Sequence, residues 1–138
     1  MTKYINEIAN FARKQNARFN VHPSNYFGVL DIRKFPIIIG DTGENLEFTL
    51  EVSPDFSSQD LDDLPEKFST LLLNRNKEIY PAKWKIELGS SSKEYFYSCC
   101  VSVQYSELSE KTFYESVKLL YLEGEFYSET ALNYSKTG

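Results

Sequence analysis

The sequence predicts a single α+β domain in which helices pack on one face of a mostly antiparallel sheet. Its length of 138 residues suits one ordinary domain spanning residues 1–138. Short stretches in which apolar and polar residues alternate predict strands, and the turn-forming residues between them predict hairpins. Apolar residues at spacings of three and four predict helices near the start, the middle and the end. The expected order is helix, three or four strands, helix, two strands, helix.

The first helix is expected over about residues 3–15, because apolar side chains recur on one face behind Thr2, a residue type that caps helix starts. Extended segments follow, separated by turn-forming residues, and the last of them alternates strictly between apolar and polar positions. These segments are Arg18–Val21, Tyr26–Ile32, Phe35–Gly40 and Leu46–Val52. They predict the first three or four strands, joined as hairpins.

The second helix is expected to begin at Pro65. The N–H groups of the first helical turn have no partner within the helix, so proline, which lacks this group, is tolerated there. It should end near Asn74 or Asn76, since asparagine tolerates the left-handed conformation of a helix end and Pro81 prevents continuation. A second hairpin follows, with alternating segments at Lys83–Leu88 and Tyr95–Gln104.

The C-terminal segment predicts a long helix from Glu110 to about Ser135, with Ser109 as its cap. At 1.5 Å per residue it would span roughly 40 Å, more than a domain of this size needs for its own core. Gly124 lies inside it and indicates a kink, a break or a close crossing by another helix. One face carries a heptad-like apolar seam of Phe113, Val117, Leu120, Gly124, Tyr127, Ala131 and Tyr134.

Tyrosines and phenylalanines surround much of this last helix, and a single sheet is not expected to cover them all. Exposed aromatic side chains are common anchors of protein interfaces. We therefore expect part of the helix to contact a partner chain or a bound segment. The candidate partner-binding residues are Phe113, Val117, Leu120, Tyr121, Gly124, Tyr127 and Tyr134.

Charge and hydropathy exclude other classes of partner. The net charge is −5, and the basic residues are scattered along the chain without forming a stripe, so nucleic acid and anionic membranes are not expected to bind. Unbroken apolar runs such as Ile37–Ile39 are far too short to span a bilayer, and the N-terminus lacks the apolar stretch of a signal peptide. A cytoplasmic location is expected.

Residues that could support catalysis or metal binding are few and dispersed. His22 is the only histidine and lies beside a turn. Cys99 and Cys100 should point to opposite faces of a strand, which disfavours both a disulfide framework and a metal clip. An acidic cluster lacks the spacing of a calcium loop and is better explained as favourable charge at a helix start; it comprises Asp55, Asp60, Asp62, Asp63 and Glu66. No enzymatic activity, cofactor or metal is expected.

The run Leu71–Asn76 is preceded by Leu64-Pro65 and followed by the hairpin at Trp84 and a Leu108-Ser109 turn. With the order of elements, it resembles the class I type III secretion chaperones and the related YbjN-like domains. The resemblance implies a homodimer that binds an extended or partly unfolded polypeptide, or aids folding, without enzymatic activity. The expected partners are therefore a polypeptide segment and a second copy of the chain.

Two other functions remain open at the level of sequence. The first is a small-ligand-binding domain or an enzyme with a pocket between sheet and helices, for which convergent Tyr, Glu and Arg side chains would be the sign. The second is an inhibitor or immunity-type protein whose acidic face blocks a basic partner, for which a salt-sensitive complex would be the sign.

Overall fold

The computed structural model of the chain describes residues 2–32, 35–52, 64–91 and 93–137, without the side chains of residue 32 and residues 132–137. Most of the predicted acidic cluster, Asp55 to Asp63, lies outside the described residues, as does the side chain of Tyr134. The helices are α1 (Lys3–Lys14), α2 (Glu66–Arg75) and α3 (Glu110–Thr137). The strands are β1 (Arg18–Val21), β2 (Phe27–Ile32), β3 (Phe35–Asp41), β4 (Asn45–Leu50), β5 (Ala82–Leu88) and β6 (Tyr95–Gln104).

The α+β class and the predicted order of elements are confirmed, with four strands before α2. The strands form one six-stranded sheet in the order β1-β2-β3-β4-β6-β5. Every neighbouring pair is antiparallel, as the predicted hairpins require. Strands β1 and β5 are the two edges, and β6 lies between β4 and β5.

One face of the sheet carries the core. Successive strands place a row of apolar side chains in register across this face, consisting of Leu30, Ile37, Leu50, Cys99 and Trp84. Helix α1 packs over β1 to β3, α2 packs over β5, and α3 crosses β3 to β6. Cys100 points to the opposite face, as its alternation with Cys99 predicted.

The starts of α1 and α3 follow the capping rules used to predict them, but Asn76 ends α2 in the right-handed conformation (φ −57°) and not in the left-handed one that was expected. The Thr2 Oγ1 accepts the Ile5 N–H at 3.1 Å, and the Ser109 Oγ accepts the Thr112 N–H at 3.1 Å. Pro65 differs slightly from prediction: it occupies the cap position before Glu66, a place that also requires no N–H donor. Among the helices that the structure describes, none is both long and apolar enough to cross a membrane.

Candidate functional site

The predicted seam of α3 faces the sheet and belongs to the core of the same chain. The side chains of Phe113, Val117, Leu120 and Tyr127 are buried, and Tyr121 is partly buried against the core cluster. The placement of Leu120 and Tyr127 in the core corrects their sequence-based assignment to a partner surface. The physical reason is that α3 crosses four strands of a wide sheet, which covers the apolar seam along the described part of the helix.

Gly124 does not break the helix, because α3 is continuous from Glu110 to Thr137. It allows a close approach, as one of the sequence-based alternatives proposed, but to a strand side chain and not to another helix. A Cβ atom added at Gly124 would lie 3.0 Å from ring atoms of Phe35. The Phe35 ring then meets Tyr121 edge-on, at 5.4 Å between ring centroids. Glycine therefore permits close packing of α3 against the Phe35 ring of β3.

An aromatic cluster beneath α3 includes Tyr127, one of the rings that the sequence assigned to a partner. Tyr127 stacks on Trp84 at 5.6 Å between centroids and meets Phe68 edge-on at 5.5 Å. Phe68 also meets Tyr97 at 5.2 Å, and the Tyr97 hydroxyl hydrogen-bonds to Ser69 at 2.5 Å. These contacts join α2, α3 and both strands of the second hairpin, so the rings serve internal packing.

A buried charge network lies beside this cluster and was not anticipated from the sequence. Glu123 on α3 is only 2% exposed, and its carboxylate accepts two hydrogen bonds from the Arg75 guanidinium, at 2.9 Å and 2.6 Å. The Trp84 indole N–H donates to the same carboxylate at 2.9 Å. The Arg75 guanidinium also lies over the Phe126 ring, 3.7 Å from its centroid. Ionisation of Glu123 helps to raise the pKa of Arg75, chiefly through their hydrogen bond.

Asn76 completes this region by covering part of a sheet edge. Its side-chain amide donates to the Trp84 carbonyl at 2.9 Å, and its side-chain oxygen accepts the Trp84 N–H at 2.6 Å. These backbone groups would otherwise be unpaired on edge strand β5. The run Leu71–Asn76, which carried the resemblance, therefore supplies both a buried ion pair and an edge cap. A signal for Glu123 was present: at three residues after Leu120 and four before Tyr127, it lies on the seam face.

The outer flank of α3 borders an open groove of about 540 Å³. The buried side chains of Phe113 and Val117 form its floor, and Tyr114 and Leu122, each 51% exposed, form part of its rim. Tyr121 also lines it, so three of the predicted partner-binding residues contribute to this groove. An apolar floor beneath exposed apolar side chains is a common arrangement at binding sites.

The end of α1 forms the opposite wall of this groove, which we call the α1–α3 groove. Asn16 adopts a left-handed conformation with φ of 55° and ends the helix. The Ala17 N–H donates to the Ala12 carbonyl at 2.9 Å, and the Asn16 N–H donates to the Arg13 carbonyl at 3.1 Å, which is a Schellman motif. This tight end turns the chain into β1 and leaves residues 15–17 lining the groove together with Asp31 of β2.

Further apolar side chains are exposed away from the groove. Leu71 and Leu73 flank the buried Leu72 on α2, and Leu88 is exposed at the end of edge strand β5. The neighbouring backbone of β5 is capped at Ala82 by the Ile79 carbonyl and at Trp84 by Asn76. These exposed apolar side chains on α2 and β5 are candidates for contact with another protein.

The reactive residue types show no catalytic arrangement in the described part of the chain. The His22 Nδ1 hydrogen-bonds to Ser24 at 2.9 Å within the turn, and the His22 ring stacks on Phe27. Burial raises the pKa of the Cys99 thiol, and it also raises that of Cys100, where Lys85 opposes it. Both thiols therefore stay protonated near neutral pH. No group of three or more His, Cys, Asp or Glu side chains among the described residues is placed to hold a metal ion.

A hydrogen-bonded pair ties the first helix to the end of β6. Tyr105 stacks on Tyr4 at 4.0 Å between centroids, and its hydroxyl donates to the Asp41 Oδ1 at 2.5 Å. Burial raises the pKa of Asp41, but hydrogen bonds from Tyr105, the Gly43 N–H and Thr2 outweigh it and lower the pKa overall. The same bond to Asp41 raises the pKa of Tyr105 to about 12. The pKa shifts of Asp41 and Tyr105 are explained by their hydrogen bond to each other, by burial and by contacts within the turn. The pair therefore has a structural role.

Comparison of the chain with protein-family models, with curated proteins and with solved structures gives no match. The candidate site therefore rests on geometry alone. It consists of the α1–α3 groove. The convergent aromatic and charged groups between the sheet and the helices serve the packing of the core.

Proposed function

We propose that this protein is a non-enzymatic, chaperone-like module that works as a homodimer and holds a segment of another polypeptide. The observation that carries the proposal is the α1–α3 groove, in which exposed Tyr114 and Leu122 border a buried apolar floor. Tyrosine and leucine side chains at such a rim can cover the apolar residues of a bound segment, which hydrophobic burial favours. A cytoplasmic location suits the two free cysteines, which persist under reducing conditions.

The small-ligand alternative has less support. Tyr, Glu and Arg side chains do converge between sheet and helices, as that alternative requires, but they satisfy one another. Arg75 and Glu123 form a bidentate pair, and Tyr97 and Tyr127 pack against other rings. The α1–α3 groove is open to solvent along its rim, a shape better suited to a polypeptide segment than to an enclosed small molecule.

The groove assignment predicts a specific loss of binding. In the Tyr114→Ser/Leu122→Ser double variant, affinity for a reduced, carboxymethylated and therefore permanently unfolded test protein should fall about tenfold or more, because two exposed anchors are removed. Fluorescence anisotropy with the labelled test protein measures this. The thermal midpoint should be nearly unchanged, since both side chains are half exposed.

Tyr26→Ser is the matched control, because Tyr26 is 62% exposed and does not line the groove. It should bind the test protein as the unmodified chain does. Equal loss in this control would show that the binding is not localised to the groove. Failure of the unmodified chain to bind any unfolded polypeptide would remove the proposed function itself.

Self-association is proposed to use the exposed apolar residues of α2 and β5. A standard interface buries about 800 Å² on each partner, roughly a tenth of the 8422 Å² surface of this chain. We expect light scattering at micromolar concentration to give twice the 16.0 kDa chain mass. The Leu73→Ser/Leu88→Ser variant should shift this mass toward the monomer, because dimerisation would then bury less apolar surface.

Leu122→Ser should leave the dimer intact, which separates self-association from the groove. If the unmodified chain remains a monomer at micromolar concentration, the proposed homodimer is contradicted. Dimers that survive the Leu73→Ser/Leu88→Ser change would place the interface elsewhere.

A further inference from the structure

The α1–α3 groove has a charge character that its apolar floor does not explain. Glu125 lines the groove and is partly buried, yet among the described residues no cation pairs with it. Asp31 also lines the groove and has no ion-pair partner within that part of the chain. Arg18 lies directly across the strand pair from Asp31, but no ion pair joins them. Two carboxylates therefore border apolar surface with no ion pair to any described residue.

The end of α1 brings charges of both signs to the groove, since Arg13 and Lys14 lie in its last turn. The Schellman motif satisfies the carbonyls of Ala12 and Arg13, and residues 15–17 then line the groove. The C-terminal end of a helix carries a partial negative charge, equivalent to about half an elementary charge. Lys14, which lies in this last turn, is paired with Glu110 at 3.7 Å and is thereby partly neutralised.

Lys118 is the single cation among the lining residues that the structure describes. It lies seven residues before Glu125 on the same helix, which places the two Cα atoms about 10 Å apart along the axis at 1.5 Å per residue. It is exposed and is not paired with Glu125. Among the described lining residues, the two carboxylates of Glu125 and Asp31 thus outnumber this one cation.

We infer that the α1–α3 groove selects a basic amphipathic segment, with an apolar side chain on the Phe113–Val117 floor and a Lys or Arg side chain near Glu125 and Asp31. The inference rests on the proposed polypeptide-binding function and names the chemistry of its partner. Long basic side chains suit this site because their alkyl stems can cover apolar surface while the charged head meets a carboxylate. A partly desolvated charge pair also rejects acidic segments, which would place like charges together.

Two synthetic peptides test the inference on the full chain. One is an amphipathic peptide of leucine and lysine, and the other is its counterpart with each lysine replaced by glutamate. Fluorescence anisotropy with dye-labelled peptides should give at least about tenfold tighter binding for the leucine–lysine peptide at physiological ionic strength. Added salt should weaken that binding, because rim charges are screened.

Variants at the groove locate the preference. Glu125→Gln should weaken binding of the leucine–lysine peptide about fivefold, and Asp31→Asn should weaken it by a smaller factor because Asp31 is exposed. Lys118→Gln should strengthen it about twofold. Glu129→Gln is the matched control, since Glu129 is exposed one turn further along α3 and does not line the groove. Its affinity should stay within about twofold of the unmodified chain.

The outcomes separate the inference from the proposed function. Equal binding of both peptides, with loss in the Tyr114→Ser/Leu122→Ser variant, would overturn the basic preference and leave polypeptide binding in place. Equal weakening by Glu125→Gln and Glu129→Gln would show that the overall negative charge, and not the groove, attracts the lysine peptide, which also overturns the inference. Binding of neither peptide, together with no binding of the unfolded test protein, would remove both.

Discussion

Replacing Arg75 with alanine should lower the free energy of unfolding by about 3–5 kcal/mol, because the change leaves a buried carboxylate without its ionic partner. Glu123 is 2% exposed and would keep only the hydrogen bond from the Trp84 indole. The contact between the guanidinium and the Phe126 ring would also be lost. Urea denaturation followed by tryptophan fluorescence measures the effect, since Trp84 is the only tryptophan and lies in the network.

Two further variants test this explanation. Lys111→Ala removes the exposed pair with Glu115 and should cost less than about 0.5 kcal/mol. The Arg75→Met/Glu123→Leu double variant removes both buried charges and should recover at least half of the loss seen for Arg75→Ala. Recovery should be incomplete, because the Trp84 N–H would then be buried without an acceptor. If Arg75→Ala lowers the free energy of unfolding by less than about 1 kcal/mol, water reaches Glu123 and the charge network is not shielded from solvent.

Truncating Tyr127 to alanine should lower the free energy of unfolding by about 3–5 kcal/mol, as expected for loss of a large buried ring. The ring is 1% exposed and contacts Trp84 and Phe68. Tyr114→Ala, on the same helix but half exposed, should change stability by less than about 0.5 kcal/mol. Chemical denaturation of the two variants side by side measures the difference.

The comparison decides between the two roles considered for the α3 seam. If Tyr127 serves the core, Tyr127→Phe should retain the fold and bind the unfolded test protein normally. If the Tyr127→Ala variant keeps native stability but loses binding, Tyr127 belongs to a partner-binding surface and not to the core. Tyr114→Ala should show the reverse pattern, with stability retained and binding reduced.

Local patterns were sufficient for much of the fold. Residues 46–50 alternate apolar and polar side chains, and β4 follows that alternation with its apolar side chains in the core. The apolar stripe behind Thr2 became α1, and Ser109 capped α3 as expected. These features depend on neighbouring residues within one or two turns, so the sequence contains the information needed to predict them.

Contacts between distant segments were not predictable in the same way. Glu123 lies 48 residues from Arg75 and 39 residues from Trp84, and no local pattern connects them. The close approach at Gly124 depends on Phe35, which reaches α3 from a strand early in the chain. Similarly, the α1–α3 groove exists because the end of α1 and the outer flank of α3 meet in the fold.

By itself, the sequence determined the α+β class, the order and extents of most elements, and which face of each element is apolar. Only the tertiary structure decided what covers those faces. A heptad-like apolar seam has the same periodicity whether it packs on its own sheet or on a partner, because periodicity records the position of apolar side chains and not the surface that meets them. In this protein the sheet covers the described part of the seam, and the candidate binding surface lies on the adjacent flank of α3.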